Sequence, residues 1–308
     1  MHLRRILYRA AAVLLAACML PGCGGTQTAS AEAAGASASG TVYEIPEFHT
    51  SGFDESQAVD CGALQADFSS LSLGYIAVKA ENEKPLKLQI ACGEEKYNYD
   101  ISNTGEPAVL PLNMGNGTYE FRLMQNVDGN RYACLWSDSR TVTLEDEFQP
   151  FLRPSIMSNY NEESECVKKA AELASGCADD LEAASAVYTY LVKHIKYDKQ
   201  KAATVQPGYL PDPDETLSSG KGICFDYASL ACAMMRSLGI PCKLITGYVD
   251  SDVYHAWNCF YIEGQGWITA GIKASANSWQ RVDITFAAGG TGTDKLTDDS
   301  RYTTRYTY

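Results

Sequence analysis

Cys224 stands in the run Gly220-Lys221-Gly222-Ile223-Cys224-Phe225-Asp226-Tyr227-Ala228, just ahead of a segment in which Tyr227, Ala228, Leu230, Ala231, Met234, Met235 and Leu238 recur at helical spacing. Gly239 and Pro241 stop that segment. The spacing therefore predicts a thiol in the first turn of a helix, where amide N–H groups lack intrahelical acceptors and the helix dipole favours an anion. The thiolate is the reactive form of cysteine, so backbone geometry alone would activate a nucleophile here. Such a nucleophile still needs a base to take its proton and a third group to orient the base.

The chain has only four histidines, which allows elimination. His2 lies in an export-type segment, His49 lies near a tether, and His194 ends a helical stretch beside Lys193 and Lys196. His255 opens a β-type run after the turn at 249–253, and a strand end presents an imidazole rigidly to a neighbouring helix terminus. The third role falls to Asp283, an acid inside the β-prone apolar run 279–286. Burying that carboxylate is costly unless it has a partner, and an imidazole N–H would be one. From the residues alone, a core cysteine, a packed histidine and a solvent-facing aspartate remain open alternatives.

The elements that would carry these groups follow an α+β order. A helix is expected over 162–175 and a second from Asp179-Asp180, with Leu181, Ala184, Val187, Tyr188, Leu191 and Ile195 on one face. Residues 199–219, with Pro207, Pro211 and Pro213, read as a long polar connection, often functional when it delivers the chain to a site. After the Cys224 helix come β-type runs at 242–249, 255–262, 266–269 and 282–286, and a last edge strand at 302–308. Upstream, residues 42–150 hold short alternating runs divided by turn signals such as Gly115-Asn116-Gly117, the spacing of a small immunoglobulin-like β-sandwich. Phe148-Gln149-Pro150 through Pro154 breaks that pattern and opens a second domain over 151–308.

Residues 1–22 have the form of an export signal: Arg4, Arg5 and Arg9, then an apolar run ending at Leu20 that is shorter than the roughly 20 residues a spanning helix needs. Leu20-Pro21-Gly22-Cys23 resembles a bacterial lipobox, which would make Cys23 a lipid anchor, with Cys18 as the alternative; residues 23–41 are then a flexible tether rich in Ala, Ser, Gly and Thr. The expectation is an extracytoplasmic protein lipid-anchored to a bacterial membrane. A net charge of −13 excludes counterion-release binding of nucleic acid. No Cys-x-x-Cys occurs and histidines are not clustered, so neither a metal site nor a cofactor is expected. The eleven cysteines have irregular spacings, and no disulfide is assigned.

The words Gly-x-Cys-x-Asp-Tyr-Ala, Leu-Gly-Ile-Pro, Gly-Tyr, His-Ala-Trp-Asn, Gly-x-Trp and Val-Asp-x-Thr-Phe occur here in the order, and about the spacing, of the transglutaminase-like superfamily, which they resemble over residues 160–290. The resemblance implies a papain-like α+β domain with helices packed on an antiparallel sheet, and a Cys224, His255, Asp283 triad. The family usually has Asp-Pro-Thr where this chain has Asp283-Ile284-Thr285, and the acid is kept. The oxyanion hole would use the Cys224 amide plus a second donor; Gln206, Tyr209 and, as a substrate contact, Trp257 are candidates. The implied activity is attack on amide bonds of a peptide, protein or peptidoglycan substrate through a thioester, by hydrolysis or acyl transfer. The competing expectation is a non-catalytic surface binding or scaffold protein that retains the fold.

Overall fold

Leu86, Leu88 and Ile90 alternate with polar neighbours, and so do Tyr97, Tyr99 and Ile101. This period-two pattern buries one face of a hairpin, turned at Gly93 with φ of 60°. In the computed structural model, which describes residues 43–250, 252–269, 271–275, 278–281, 285 and 301–308, the pattern builds two four-stranded antiparallel sheets. One orders β1 (Ala58–Asp60), β2 (Gln65–Asp67), β3 (Tyr75–Lys79) and β6 (Ala108–Pro111) as β1-β2-β3-β6. The other orders β4 (Leu86–Cys92), β5 (Glu95–Ile101), β7 (Gly117–Asp128) and β8 (Arg131–Val142) as β5-β4-β7-β8. Both contribute to one apolar core, with Ile76, Val78 and Leu110 from the first meeting Leu88, Ile90, Tyr119 and Phe121 from the second. The sandwich-forming residues and the later elements belong to one compact unit, Gly40–Tyr308.

The second half is helical first and sheet last. It contains α1 (Glu165–Ala174), α2 (Asp180–His194), the two-residue β9 (Lys196–Tyr197), α3 (Lys199–Thr204), α4 (Pro213–Ser219), β10 (Lys221–Gly222) and α5 (Cys224–Ser237). Then follow β11 (Cys242–Val249), β12 (Val253–Ile262), β13 (Gly266–Thr269), the hairpin β14 (Gly271–Ser275) and β15 (Ser278–Arg281), and β16 (Tyr302–Thr307). The main sheet is antiparallel in the order β13-β12-β11-β16. Helix α5 is buried from Asp226 to Ser237, being apolar on nearly every side, as a helix enclosed by others and by a sheet must be. Ala231, Met234 and Met235 share a core with Val187 and Leu191 of α2 and with Leu244 and Phe260 of the sheet.

Residues 199–219 differ from the expected loop, since most of them form α3 and α4. The reason is local: Asp198 accepts a hydrogen bond from the Lys201 amide, and Asp212 accepts from the amides of Asp214 and Glu215 with Pro213 at the first helical position. Pro213 starts a helix instead of breaking one. The export segment, the tether with Cys23, and the 282–284 stretch with Asp283 lie outside the described residues. The nine described cysteines are free thiols, with the Cys232 and Cys242 sulfurs 3.5 Å apart in the helical core.

Candidate active site

Cys224 is the first residue of α5, one residue after the boundary residue Ile223. Its approach is held from two directions. Gly220 ends α4 in the left-handed region, with φ of 64°, and β10 pairs in parallel with β9, matching Lys221 to Lys196 and Gly222 to Tyr197. Gly222 is needed for another reason: a Cβ there would lie 2.6 Å from the Asp226 Cβ. The Asp226 carboxylate accepts the Ile223 amide at 2.7 Å, which closes the first turn around the cysteine. As first-turn amides, those of Cys224 and Phe225 have no acceptor within α5, the position at which a helix start meets an anion.

Asp226 is fully buried and has two further partners. Tyr209 donates its hydroxyl proton to Oδ1 at 2.6 Å, and the Lys201 ammonium lies 2.9 Å from Oδ2 and 2.6 Å from the Tyr209 oxygen. Burial, followed by the hydrogen bond to Asp226, raises the Tyr209 hydroxyl to about 12. Burial disfavours the Lys201 cation, but its bonds to Tyr209 and Asp226 outweigh that and raise its pKa. Tyr209 therefore stays protonated and Lys201 charged at neutral pH. The three side chains pin the 199–209 segment against the start of α5. In this arrangement the single Tyr209 proton is committed to Asp226, and an oxyanion would have to find another donor. Lys201 is a partner of Asp226 that the sequence did not announce: a lysine in a polar stretch reads as solvated.

His255 lies near the start of β12, opposite Gly247 of β11, and is buried. Gly247 has no room for a side chain, because a Cβ would fall 2.0 Å from the Thr303 carbonyl oxygen of β16. The histidine strand is tied to the cysteine helix by Asn258, whose amide donates to the Ala228 carbonyl at 3.0 Å and to the Cys232 sulfur at 3.2 Å. Tyr227 adds a buried bond to the Ile195 carbonyl at 2.6 Å, joining α5 to the end of α2.

Cys224 and His255 line one cavity of about 520 Å³, together with Gln206, Tyr209, Thr246 and Tyr254. This volume is within the range of small-molecule and peptide-side-chain sites. Trp257 is not in that lining. It is buried beside His255, with ring centroids 6.3 Å apart, and meets Tyr302 edge-on at 5.2 Å. His194 is held elsewhere, its Nδ1 2.9 Å from the Tyr190 carbonyl and its ring stacked on Tyr190. Burial, and then Arg153, lower the pKa of His49, which sits away from the cavity.

A thiol at a helix start and an imidazole from an adjoining antiparallel sheet thus line one cavity. Residues 167–272 match the family model of the transglutaminase-like superfamily, so the chain carries a transglutaminase-like domain. That span contains Cys224 and His255 and ends before Asp283. Kyphoscoliosis peptidase of Homo sapiens is 27% identical over 170 residues, covering 51% of this chain and 24% of that protein. Cytokinesis protein 3 of Schizosaccharomyces pombe is 30% identical over 114 residues, covering 34% of this chain and 12% of that protein. The chain thus spans about a quarter or less of the length of these curated relatives. Among solved structures, a protein of Cytophaga hutchinsonii described provisionally as a cysteine protease is 16% identical with a TM-score of 0.38, covering 75% of this chain and 73% of that one. Red sea bream transglutaminase is 13% identical with a TM-score of 0.30, covering 73% of this chain and 54% of that one.

Proposed function

We propose that this protein is an extracytoplasmic cysteine enzyme acting on amide bonds of peptide or cell-wall material. The observation that carries the reading is the shared cavity: a thiol at the first position of α5 and an imidazole on β12 open onto the same space. In this reading the Cys224 thiolate attacks the amide carbonyl, and the oxyanion is met by first-turn amides of α5. The leaving amine takes its proton from His255, and the thioester is resolved by water, giving hydrolysis, or by a second amine, giving transfer. Asp283 orients the imidazole. Two four-stranded antiparallel sheets around one core support an immunoglobulin-like sandwich ahead of the enzyme domain.

The test is the rate of iodoacetamide labelling against pH. Cys224 is expected to label faster near neutral pH than the exposed Cys134, and His255→Ala is expected to move its profile to higher pH. Equal rates at the two cysteines, unchanged in His255→Ala, would leave a scaffold that keeps the fold without turnover. The lipobox-like Leu20-Pro21-Gly22-Cys23 supports a Cys23 lipid anchor. Cys23→Ala is then expected to move the protein from the membrane pellet to the soluble fraction, and a variant still found in the pellet removes the anchor from that residue.

A further inference from the structure

The cavity at Cys224 is not closed by the transglutaminase-like domain alone. Asn98, Tyr99 and Asp100 of β5 form part of its wall. Strand β5 is the edge of its sheet, paired with β4 along its whole length and with no other strand among the described residues. Alternate residues of an edge strand turn their N–H and C=O outward, so either Tyr99 or both Asn98 and Asp100 present unpaired backbone groups on that side. The Asp100 side chain reaches toward the segment that is pinned to Asp226, since a Cβ on Gly208 would sit 3.8 Å from its carboxylate. The polar side chains of β5 are occupied on the face of the sheet, Asp100 by Lys87 and Asn98 by Gln89, which keeps them from folding over the edge. The Tyr99 side chain packs into the apolar core against Tyr97 and Tyr308, so this stretch of the wall offers a ligand main chain and not the tyrosine hydroxyl.

From this geometry we infer that β5 is the docking edge for the substrate: an extended peptide flanking the attacked amide adds to β5 as a further strand. The inference rests on Cys224 and His255 being catalytic. The occupant follows from chemistry on both sides of the cavity. A thiol nucleophile on one side needs a carbonyl delivered to it, and a row of outward N–H and C=O groups on the other is satisfied by a peptide backbone in β conformation. Three residues of β5 span about 10 Å, enough to register two or three residues of the added strand. Recognition by this edge is through main chain, so it tolerates varied side chains at the positions it holds.

The experiment compares two alkylating reagents with the same reactive group on the full chain, chloroacetone and acetyl-Ala-Ala-Ala chloromethyl ketone, each displacing chloride to form a thioether at Cys224. Hydrogen exchange is then followed by mass spectrometry across residues 95–101. The tripeptide reagent is expected to alkylate Cys224 about tenfold faster than chloroacetone, to slow exchange in β5 where chloroacetone does not, and to lose its advantage when its backbone amides are N-methylated. Preferential reaction of both reagents at Cys224 with no change in β5 exchange, or an N-methylated peptide that reacts as fast, overturns docking on β5 and leaves the reactive cysteine intact. If chloroacetone shows no preference for Cys224 over Cys134, the catalytic reading falls and this inference falls with it.

Discussion

Asp226 joins three tasks in one carboxylate. It receives the Ile223 amide at the start of the helix, the Tyr209 hydroxyl and the Lys201 ammonium, and it is fully buried while doing so. Replacing Asp226 by Asn keeps the shape and removes the charge, which leaves Lys201 half-buried beside a neutral amide. Breaking a buried pair from one side costs up to several kcal/mol, but Lys201 retains some solvent contact, so a loss of about 2 kcal/mol is expected in urea unfolding. Adding Lys201→Met to that variant should restore part of the loss, because the unpaired cation is then gone; no recovery would mean that the ammonium is not held by Asp226.

At the scale of elements, α3 is the weakest link around the cavity. It has six residues, none buried, and its start depends on Asp198. The bond from the Lys201 amide, with a smaller contribution from Lys221, holds the Asp198 carboxyl below the ordinary aspartate range. A depressed carboxylate stabilises the folded form above its unfolded pKa, and that contribution is lost as pH falls through the folded pKa. Protection of the amides in 199–204, taken relative to their intrinsic exchange rates, is therefore expected to fall several-fold as pH drops below about 4, ahead of global unfolding. Asp198→Ala should show the lowered protection at neutral pH already and lose the acid dependence; an acid dependence that survives in the variant would assign it to another group. The two-residue pairing of β9 with β10 sits next to α3, so fraying here loosens the approach to Cys224.

At the scale of the whole molecule, the last residues of the chain are held from two sides, by Arg236 of α5 and by Tyr97 of β5. Arg236 on α5 is 2% exposed and donates to the carbonyls of Cys242, Arg153 and Tyr308. The planar guanidinium meets three backbone acceptors at once, which a lysine at this place would not do. Tyr306 and Tyr308, at and beyond the end of β16, pack on Tyr97 of β5, with centroids 5.2 and 5.5 Å apart, and Tyr97 also accepts the Thr307 amide. The edge strand that walls the cavity is thus positioned by aromatic contacts from the far end of the chain.

How much of this could be read in advance follows from the range of each interaction. The cysteine at a helix start, the histidine at a strand start, the helices at 165–174 and 180–194, and the terminal strand are local patterns of period and capping, legible because each is decided within a turn or two of the chain. The segment 199–219 misled because its prolines and acids serve turns and helix starts equally well, and capping by Asp198 and Asp212 decided between them. Sequence by itself determined that a thiol would meet the positive end of a buried helix, and that antiparallel strands would follow it. Only the tertiary structure decided that Lys201 and Tyr209 converge on Asp226, that Trp257 packs beside His255 and not in the cavity lining, and that β5 walls the cavity from more than a hundred residues away. Those outcomes depend on long-range packing, and no periodicity or spacing along the chain encodes which distant surface a side chain will meet.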